Sequence, residues 1–224
     1  MPENKNSTCG VVVDYVMDLV AKREFNVGDK LPPERDLAKR LNVSRPTVRE
    51  AIKVLNYLGF VDSTQGSGNY IADTYGKTTA NIMKVMYLRR DVDFDGFTVF
   101  RQMLELQSFE LAMDNISGAQ LSEMQQIVKL LDVTKDVELI TGLDSRLHML
   151  MAEASANPLI LINFQAILSI VDEYMHDTYF KTVSKKTDGF MKLQEYHHAI
   201  VDALANKDRE AGMEAIRNHF LWIV

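Results

Sequence analysis

LPPERDLAKRLNVSRPTVREAI, residues 31–52, has the pattern of two short helices joined by a tight turn. Leu37 and Leu41 lie one turn apart in the first helix. Pro33 suits the first position of that helix, where the missing N–H of proline costs nothing. Ser44 is a favourable N-cap for the second helix. The stretch therefore predicts a helix-turn-helix.

The second of these helices begins with side chains that can donate hydrogen bonds. Val48 and Ile52 occupy its inward positions, which leaves Arg45, Thr47 and Arg49 on the outward face of its first turns. In a helix-turn-helix those turns enter the major groove of DNA. An arginine there can donate two hydrogen bonds to one guanine. We therefore interpret this helix as a DNA-reading element.

The flanking segments extend the motif to a winged helix-turn-helix. Apolar residues at helical spacing within residues 12–20 predict a preceding helix. Gly59 follows the second helix as a typical helix stop. Strand-forming segments at 60–64 and 69–72 then flank the glycine-rich sequence QGSG at 65–68, which predicts a hairpin turn.

The charge of the chain favours selective contact with DNA. Its 224 residues suit one or two domains, and its net charge is -6. Between Lys30 and Lys53, however, seven basic residues stand against three acidic ones. Because phosphate contacts supply much of the affinity for DNA, a basic patch on an acidic chain is typical of a protein that binds chosen sites.

Cysteine usage and the apolar runs bear on the cellular compartment. Cys9 is the single cysteine, which excludes an intrachain disulfide and favours a reducing cytoplasm. The polar N-terminus is unlike a signal peptide. The best apolar run, residues 158–171, is interrupted by Asn163 and Gln165. We therefore expect a cytoplasmic protein without a membrane segment.

Helical periodicity replaces the strand signals beyond Asp73. We expect a DNA-binding domain at 1–73, a linker with a connecting helix at 74–93, and an all-helical domain at 94–224. The expected fold is mainly α, with an N-terminal winged helix-turn-helix and a C-terminal bundle of about seven helices. The first of these helices is expected at about 78–89 and belongs either to the linker or to the helical domain. The others are expected at 97–115, 117–131, 135–154 and 158–180, in a segment that ends at 206, and at 208–224.

The histidines carry the chemistry of the helical domain. Asp144 and His148 lie four residues apart on one helix face, a geometry that suits two ligands of one ion. His197 and His219 lie among apolar residues at helical spacing and should point inward, whereas the neighbours of His198 are polar. Helical bundles often build metal sites in their cores. From the pattern alone, a metal site and ordinary core histidines are both open.

Residues 31–38 and 44–52 resemble the signature of the GntR superfamily of bacterial transcription regulators, and the resemblance covers about residues 10–73. It implies that two arginines contact phosphates, that a third reads a base, and that a wing glycine lies over the minor groove. In that order these residues are Arg35, Arg45, Arg49 and Gly66. Ser67 departs from the family, in which a basic residue often stands between the wing glycines. The candidate DNA-binding residues are Arg35, Ser44, Arg45, Thr47, Arg49 and Gly66.

Three further motifs are similar to the ligand-binding FCD domain of the FadR-like branch of this superfamily. They are DSRLH at 144–148, AEASANP at 152–158 and HHAIVDAL at 197–204. In metal-binding members, one aspartate and three histidines at these spacings hold an ion. The resemblance therefore implies a metal site. Its ligands would be Asp144, His148, His197 and His219.

Three imidazoles and one carboxylate suit zinc, nickel, cobalt or manganese, with zinc or nickel favoured. The family implies that a small organic acid completes the coordination of the ion. Arg101 aligns with an arginine that holds the acid group of an effector in many relatives. The alternative for Arg101 is a surface ion pair with Glu105, four residues away.

The expected function is a ligand-responsive transcription regulator that binds a short palindromic operator as a homodimer, and not an enzyme. One alternative is a regulator whose metal is structural or is itself the signal. A second is a metallohydrolase, in which metal-bound water becomes the nucleophile. The second is disfavoured because the sequence shows no HExxH motif and no separate general base beside the candidate ligands.

Overall fold

A computed structural model describes residues 8–64, 66–172 and 188–223 of the chain. It divides into two units, Met1–Thr78 and Thr79–Val224. Among the described residues the fold is helical, apart from one two-stranded antiparallel sheet in the first unit. This arrangement confirms the fold class predicted from the sequence. None of the described helices is both long and apolar enough to cross a bilayer.

The first unit has the order of a winged helix-turn-helix. Its elements are α1 (Thr8–Ala21), α2 (Glu34–Leu41), α3 (Arg45–Tyr57), β1 (Val61–Thr64) and β2 (Gly68–Ile71). One apolar face of each element closes a shared core, as the predicted stripes require. The buried members of that core include Val12, Val16, Leu37, Val48, Ile52, Leu55, Val61 and Ile71.

Local signals fix the turn between α2 and α3. Asn42 adopts the left-handed conformation (φ 53°) that ends α2. The Ser44 hydroxyl then accepts a hydrogen bond from the backbone N–H of Thr47 at 3.2 Å and caps α3, as predicted. Pro33 lies at the N-cap of α2, one residue earlier than expected, because its extended ψ of 144° keeps it outside the helix.

The wing is a short hairpin that follows α3. β1 pairs with β2 in a register that runs from Val61 opposite Ile71 to Thr64 opposite Gly68. Gly59 precedes the hairpin with φ 73°, and a Cβ there would lie 2.7 Å from the Thr74 carbonyl oxygen. Only glycine fits this helix stop without a backbone shift.

The second unit consists of helices, and α4 begins just before it. They are α4 (Tyr75–Leu88), α5 (Phe94–Asn115), α6 (Gly118–Val133), α7 (Val137–Ala154), α8 (Pro158–Ile170), α9 (Gly189–Asn206) and α10 (Arg209–Phe220). The predicted helix at 158–180 is seen as α8, and residues 173–187 lie outside the described part of the chain. The helix predicted at 97–115 begins three residues earlier, at Phe94, because Asp93 caps α5 by accepting from the Gly96 N–H at 3.0 Å.

The core of the second unit lies between α5, α6, α7, α9 and α10. α10 packs against both α5 and α9, and α7 packs against α5, α6 and α8. α5 and α10 approach each other closely where Gly212 faces the fully buried ring of Phe109. Two of these helices begin at side-chain caps: Ser117 forms a capping box with Gln120, and Asn157 caps α8 ahead of Pro158.

Candidate metal centre and nucleic-acid interface

The six candidate DNA-binding residues lie at the start of α2, at the start of α3 and in the wing turn. All are exposed except Thr47, which is half-buried. Val48 and Ile52 are buried on the opposite face of α3 and hold that helix against the core. The arrangement presents a row of arginines and hydroxyls to solvent, as a major-groove element requires. The row comprises Arg35, Ser44, Arg45, Thr47 and Arg49, and Gly66 lies in the wing turn.

Arg49 has a partner that the sequence motifs did not reveal. Its Nη2 lies 3.2 Å from Oε2 of Glu34 on α2, and 61% of the arginine side chain is exposed. Surface pairs of this kind contribute at most about 1 kcal/mol. Glu34 can therefore hold the guanidinium in place and release it at little cost.

Three helices bring four candidate metal ligands together in the second unit. α7 supplies Asp144 and His148 one turn apart, α9 supplies His197, and α10 supplies His219. All four residues are buried, and one donor atom from each lies within 4.8 Å of all the others. The spacing pattern had predicted that these residues face inward, and the structure places them at one point.

The distances in this cluster suit a single ion. Nε2 of His197 lies 3.2 Å from Oδ1 of Asp144, 3.3 Å from Nε2 of His148 and 3.0 Å from Nε2 of His219. Nε2 of His148 lies 3.8 Å from the same Asp144 oxygen. Ligands bound at about 2.0–2.2 Å to one ion stand about 3–3.5 Å apart. The buried cluster is therefore compatible with a metal site.

Burial and neighbouring charges favour the metal-binding forms of Asp144, His197 and His219. Burial lowers the pKa of His197 although Asp144 opposes the shift, and burial together with the other two histidines lowers the pKa of His219 well below its ordinary value. Burial alone would raise the pKa of Asp144, but His197, His148 and Arg101 more than offset it, so this pKa lies below its usual range. Neutral imidazoles and an ionised carboxylate are the ligand forms.

Arg101 and Glu105 form an ion pair that is buried. Nε of Arg101 donates to Oε1 of Glu105 at 2.7 Å, and the side chains are only 5% and 0% exposed. The pair is therefore not the surface contact that was the alternative for Arg101. Nη2 of Arg101 also lies 3.8 Å from Oδ2 of Asp144.

Glu105 reaches the histidine cluster as well. Its Oε2 lies 2.7 Å from Nδ1 of His148, on the side of the ring away from the other histidines. Burial alone would raise the pKa of Glu105, but His148 and Arg101 outweigh burial and lower it. Glu105 is not among the site residues that the sequence predicted. Its spacing of four from Arg101 was the one available signal.

A pocket beside the cluster contains Arg101, Asp144 and His197. Much of the rest of its wall is apolar and comes from α6, α7, α9 and the end of α8. These apolar residues are Leu131, Ile140, Leu168, Val171, Phe190 and Leu193. Such a pocket can accept a small molecule with a charged end against Arg101 and a carbon body against the wall.

His198 lies beside His197 in sequence but outside the cluster. Its Nε2 lies 3.0 Å from both carboxylate oxygens of Asp132 on α6, and its side chain is 36% exposed. Successive residues of a helix point about 100° apart. His198 thus faces polar surroundings, as its neighbours in the sequence predicted.

A winged helix-turn-helix followed by a helical domain with a pocket is the architecture of a DNA-binding transcription regulator. Residues 9–71 match the model of bacterial regulatory proteins, gntR family, and residues 97–221 match that of the FCD domain. The chain belongs to the GntR family of bacterial transcription regulators, in the group that carries an FCD domain. It is a regulator and not an enzyme.

Relatives with known names are also transcription regulators. HTH-type transcriptional regulator LutR of Bacillus subtilis (strain 168) is 28% identical over 188 residues, 84% of this chain and 86% of the relative. Putative L-lactate dehydrogenase operon regulatory protein of Escherichia coli (strain K12) is 26% identical over 219 residues, 95% and 83% of the two chains. The solved structure of Streptococcus agalactiae GntR superposes with a TM-score of 0.68 at 25% identity, covering 95% of this chain and 97% of that one.

Proposed function

We propose that this regulator works in the cytoplasm as a homodimer on a short palindromic operator and responds to a small organic acid that binds beside a metal ion. The observation that carries the proposal is the convergence of Asp144, His148, His197 and His219 in one buried cluster, of which Asp144 and His197 line the same pocket as Arg101. DNA-reading heads of this kind usually bind pseudo-palindromes as two-fold dimers. The two halves of the operator then mirror the two protomers.

The donor set decides which ions suit the site. Three imidazole nitrogens and one carboxylate oxygen fit zinc, nickel, cobalt or manganese. Zinc and nickel are favoured because intrinsic affinity is greater toward the end of that series. An ion that accepts five or six ligands keeps one or two positions for an effector oxygen. The ion would polarise that oxygen and fix the acid in one orientation.

The charges around the pocket favour a monocarboxylate. Asp144 and Glu105 contribute one negative charge each and Arg101 one positive charge, so with a divalent ion these groups carry one net positive charge. With the carboxylate of Asp172, which also lines the pocket, the total falls to zero. The ion and Arg101 can receive one carboxylate, and these groups leave no cation for a second acid group. One relative is named for an L-lactate dehydrogenase operon, and lactate is a small hydroxy monocarboxylate.

We expect a small monocarboxylate to bind the metal-loaded protein and to lose most of its affinity after chelation, because its oxygens complete the coordination of the ion. Arg101→Ala should weaken the acid by about 10–100-fold, the value of a hydrogen bond to a charged group, and should spare the metal. Calorimetric titration with L-lactate and a set of small mono- and dicarboxylates measures the affinity for the acid in the metal-loaded and in the metal-free protein. Titration with the metal measures the affinity for the ion.

Arg146→Ala is the matched control for Arg101→Ala. Arg146 lies on α7 and pairs with Glu123 and Glu153, outside the cluster, so its loss should leave acid affinity unchanged. Equal acid affinity with and without metal would show that the ion is structural. A metal titration that alone changes operator binding would instead make the ion the signal.

On DNA, we expect Arg49→Ala to cost about 1–3 kcal/mol at the operator and to remove discrimination at one base pair of each half-site. Arg45→Ala should weaken binding to all sequences and reduce its salt dependence, since a phosphate contact carries no sequence information. Binding assays on the operator and on single-base variants, at several salt concentrations, separate the two roles. An unchanged specificity ratio in Arg49→Ala would contradict the assignment.

A further inference from the structure

We propose that Glu105 is a positioning residue that holds the metal ligand His148 and the pocket arginine Arg101 at the same time. The inference rests on the proposed function, because it concerns residues of the same site. Glu105 is fully buried on α5, and its two oxygens point in two directions. One lies 2.7 Å from Nε of Arg101, and the other lies 2.7 Å from Nδ1 of His148.

The contact with His148 selects one form of its ring. A neutral imidazole carries a single N–H, and an ionised carboxylate can only accept. In the neutral form that binds metal, the 2.7 Å contact with a carboxylate requires the proton on Nδ1, facing Glu105. This leaves the lone pair on Nε2, the atom that lies 3.3 Å from Nε2 of His197 inside the cluster. A carboxylate behind a metal-bound histidine fixes both its tautomer and its orientation.

The other histidines of the cluster are not held in this way. Among the described residues, Nδ1 of His197 and Nδ1 of His219 have no carboxylate within ion-pair distance, whereas Nδ1 of His148 has that of Glu105. His148 is therefore the ligand whose orientation depends on an outer carboxylate. Loss of Glu105 should act on His148 first and leave the other two rings in place.

The contact with Arg101 couples the two parts of the site. Glu105 engages Nε, so the terminal guanidinium nitrogens lie beyond it, with Nη2 3.8 Å from Oδ2 of Asp144. The ring of Phe220 packs 5.7 Å from the guanidinium carbon. The same carboxylate thereby sets the direction of the arginine that we propose for the acid and of a histidine that we propose for the metal.

The test compares Co²⁺ binding by Glu105→Gln and by a control on the same helix. A glutamine oxygen can accept from His148 or from Arg101 but not from both, because its NH₂ group is a donor. We expect Glu105→Gln to lower Co²⁺ affinity by about 10–100-fold, the usual cost of an outer-shell partner, and to change the visible absorption spectrum of the bound ion. Glu110→Gln removes the same charge from α5 at a residue that pairs with Arg209. It should match the wild type in Co²⁺ affinity and in the absorption spectrum of the bound ion.

A second measurement uses the wild-type chain and decides the case even if Glu105→Gln does not fold. Nitrogen-15 NMR should find His148 protonated on Nδ1, and the Nε–H of Arg101 protected from exchange with water. Protonation on Nε2 in the metal-free protein, or fast exchange at Arg101, would overturn the corresponding contact.

The outcomes separate this inference from the proposed function. If the wild type and Glu105→Gln bind Co²⁺ with equal affinity and identical spectra, the inference about Glu105 is wrong while the metal site stands. If the wild type binds no Co²⁺, the metal site falls and the role of Glu105 falls with it.

Discussion

His197→Ala should remove metal binding in practical terms, with affinity for Zn²⁺ or Ni²⁺ reduced by more than about 100-fold. His197 is the centre of the cluster, since its Nε2 lies within 3.0–3.3 Å of a donor atom from each of the other three candidate ligands. Losing an outer-shell partner already costs about 10–100-fold, and losing a ligand must cost more. Competition with a chelator of known affinity measures the loss.

His198→Ala is the control at the adjacent position of the same helix. It removes an imidazole of the same size, but one that contacts Asp132 and is partly exposed. Metal affinity should therefore equal that of the wild type. Wild-type affinity in His197→Ala, or equal losses in both variants, would show that the cluster is not the binding site.

The candidate ligands could be predicted because each depends on the periodicity of a single helix. Asp144 and His148 share a face by their spacing, and apolar neighbours turn His197 and His219 inward. Glu105 could not be found in this way. On α5 the buried stripe passes through Thr98, Arg101, Glu105 and Ser108, and a hydrophobic pattern assigns such residues to the surface. Only the packing of α7 and α10 against α5 shows that this polar stripe is inside.

The same difference between local and long-range signals explains which features of the fold could be predicted. Caps at Ser44, Ser117 and Asn157 were readable because each needs only a short local sequence. The early start of α5 was missed because the acidic segment before it resembled a loop, while one of its members, Asp93, is itself the N-cap. Glu34 was missed as the partner of Arg49 because fifteen residues separate them and the turn between α2 and α3 brings them together.

The close approach of α10 to α5 predicts the largest effect on stability. A Cβ at Gly212 would lie 1.8 Å from Cζ of Phe109, whose ring is fully buried. Overpacking a core costs about 1–3 kcal/mol and occasionally more, and we expect Gly212→Ala to destabilise the protein by about 3 kcal/mol. Chemical denaturation followed by far-UV circular dichroism measures the change in the free energy of unfolding of the second unit.

Two companion variants test the physical cause of that loss. Gly142→Ala adds the same methyl group to α7, where nothing lies within 4 Å, and it should stabilise by about 0.5–1 kcal/mol because alanine favours helix. Phe109→Leu in the Gly212→Ala background shortens the opposing side chain and should recover part of the stability in a double-mutant cycle.

Since His219 lies seven residues after Gly212, two turns along the same face of α10, Gly212→Ala should weaken metal binding too. Unchanged stability in Gly212→Ala would mean that α5 and α10 do not approach as closely as this.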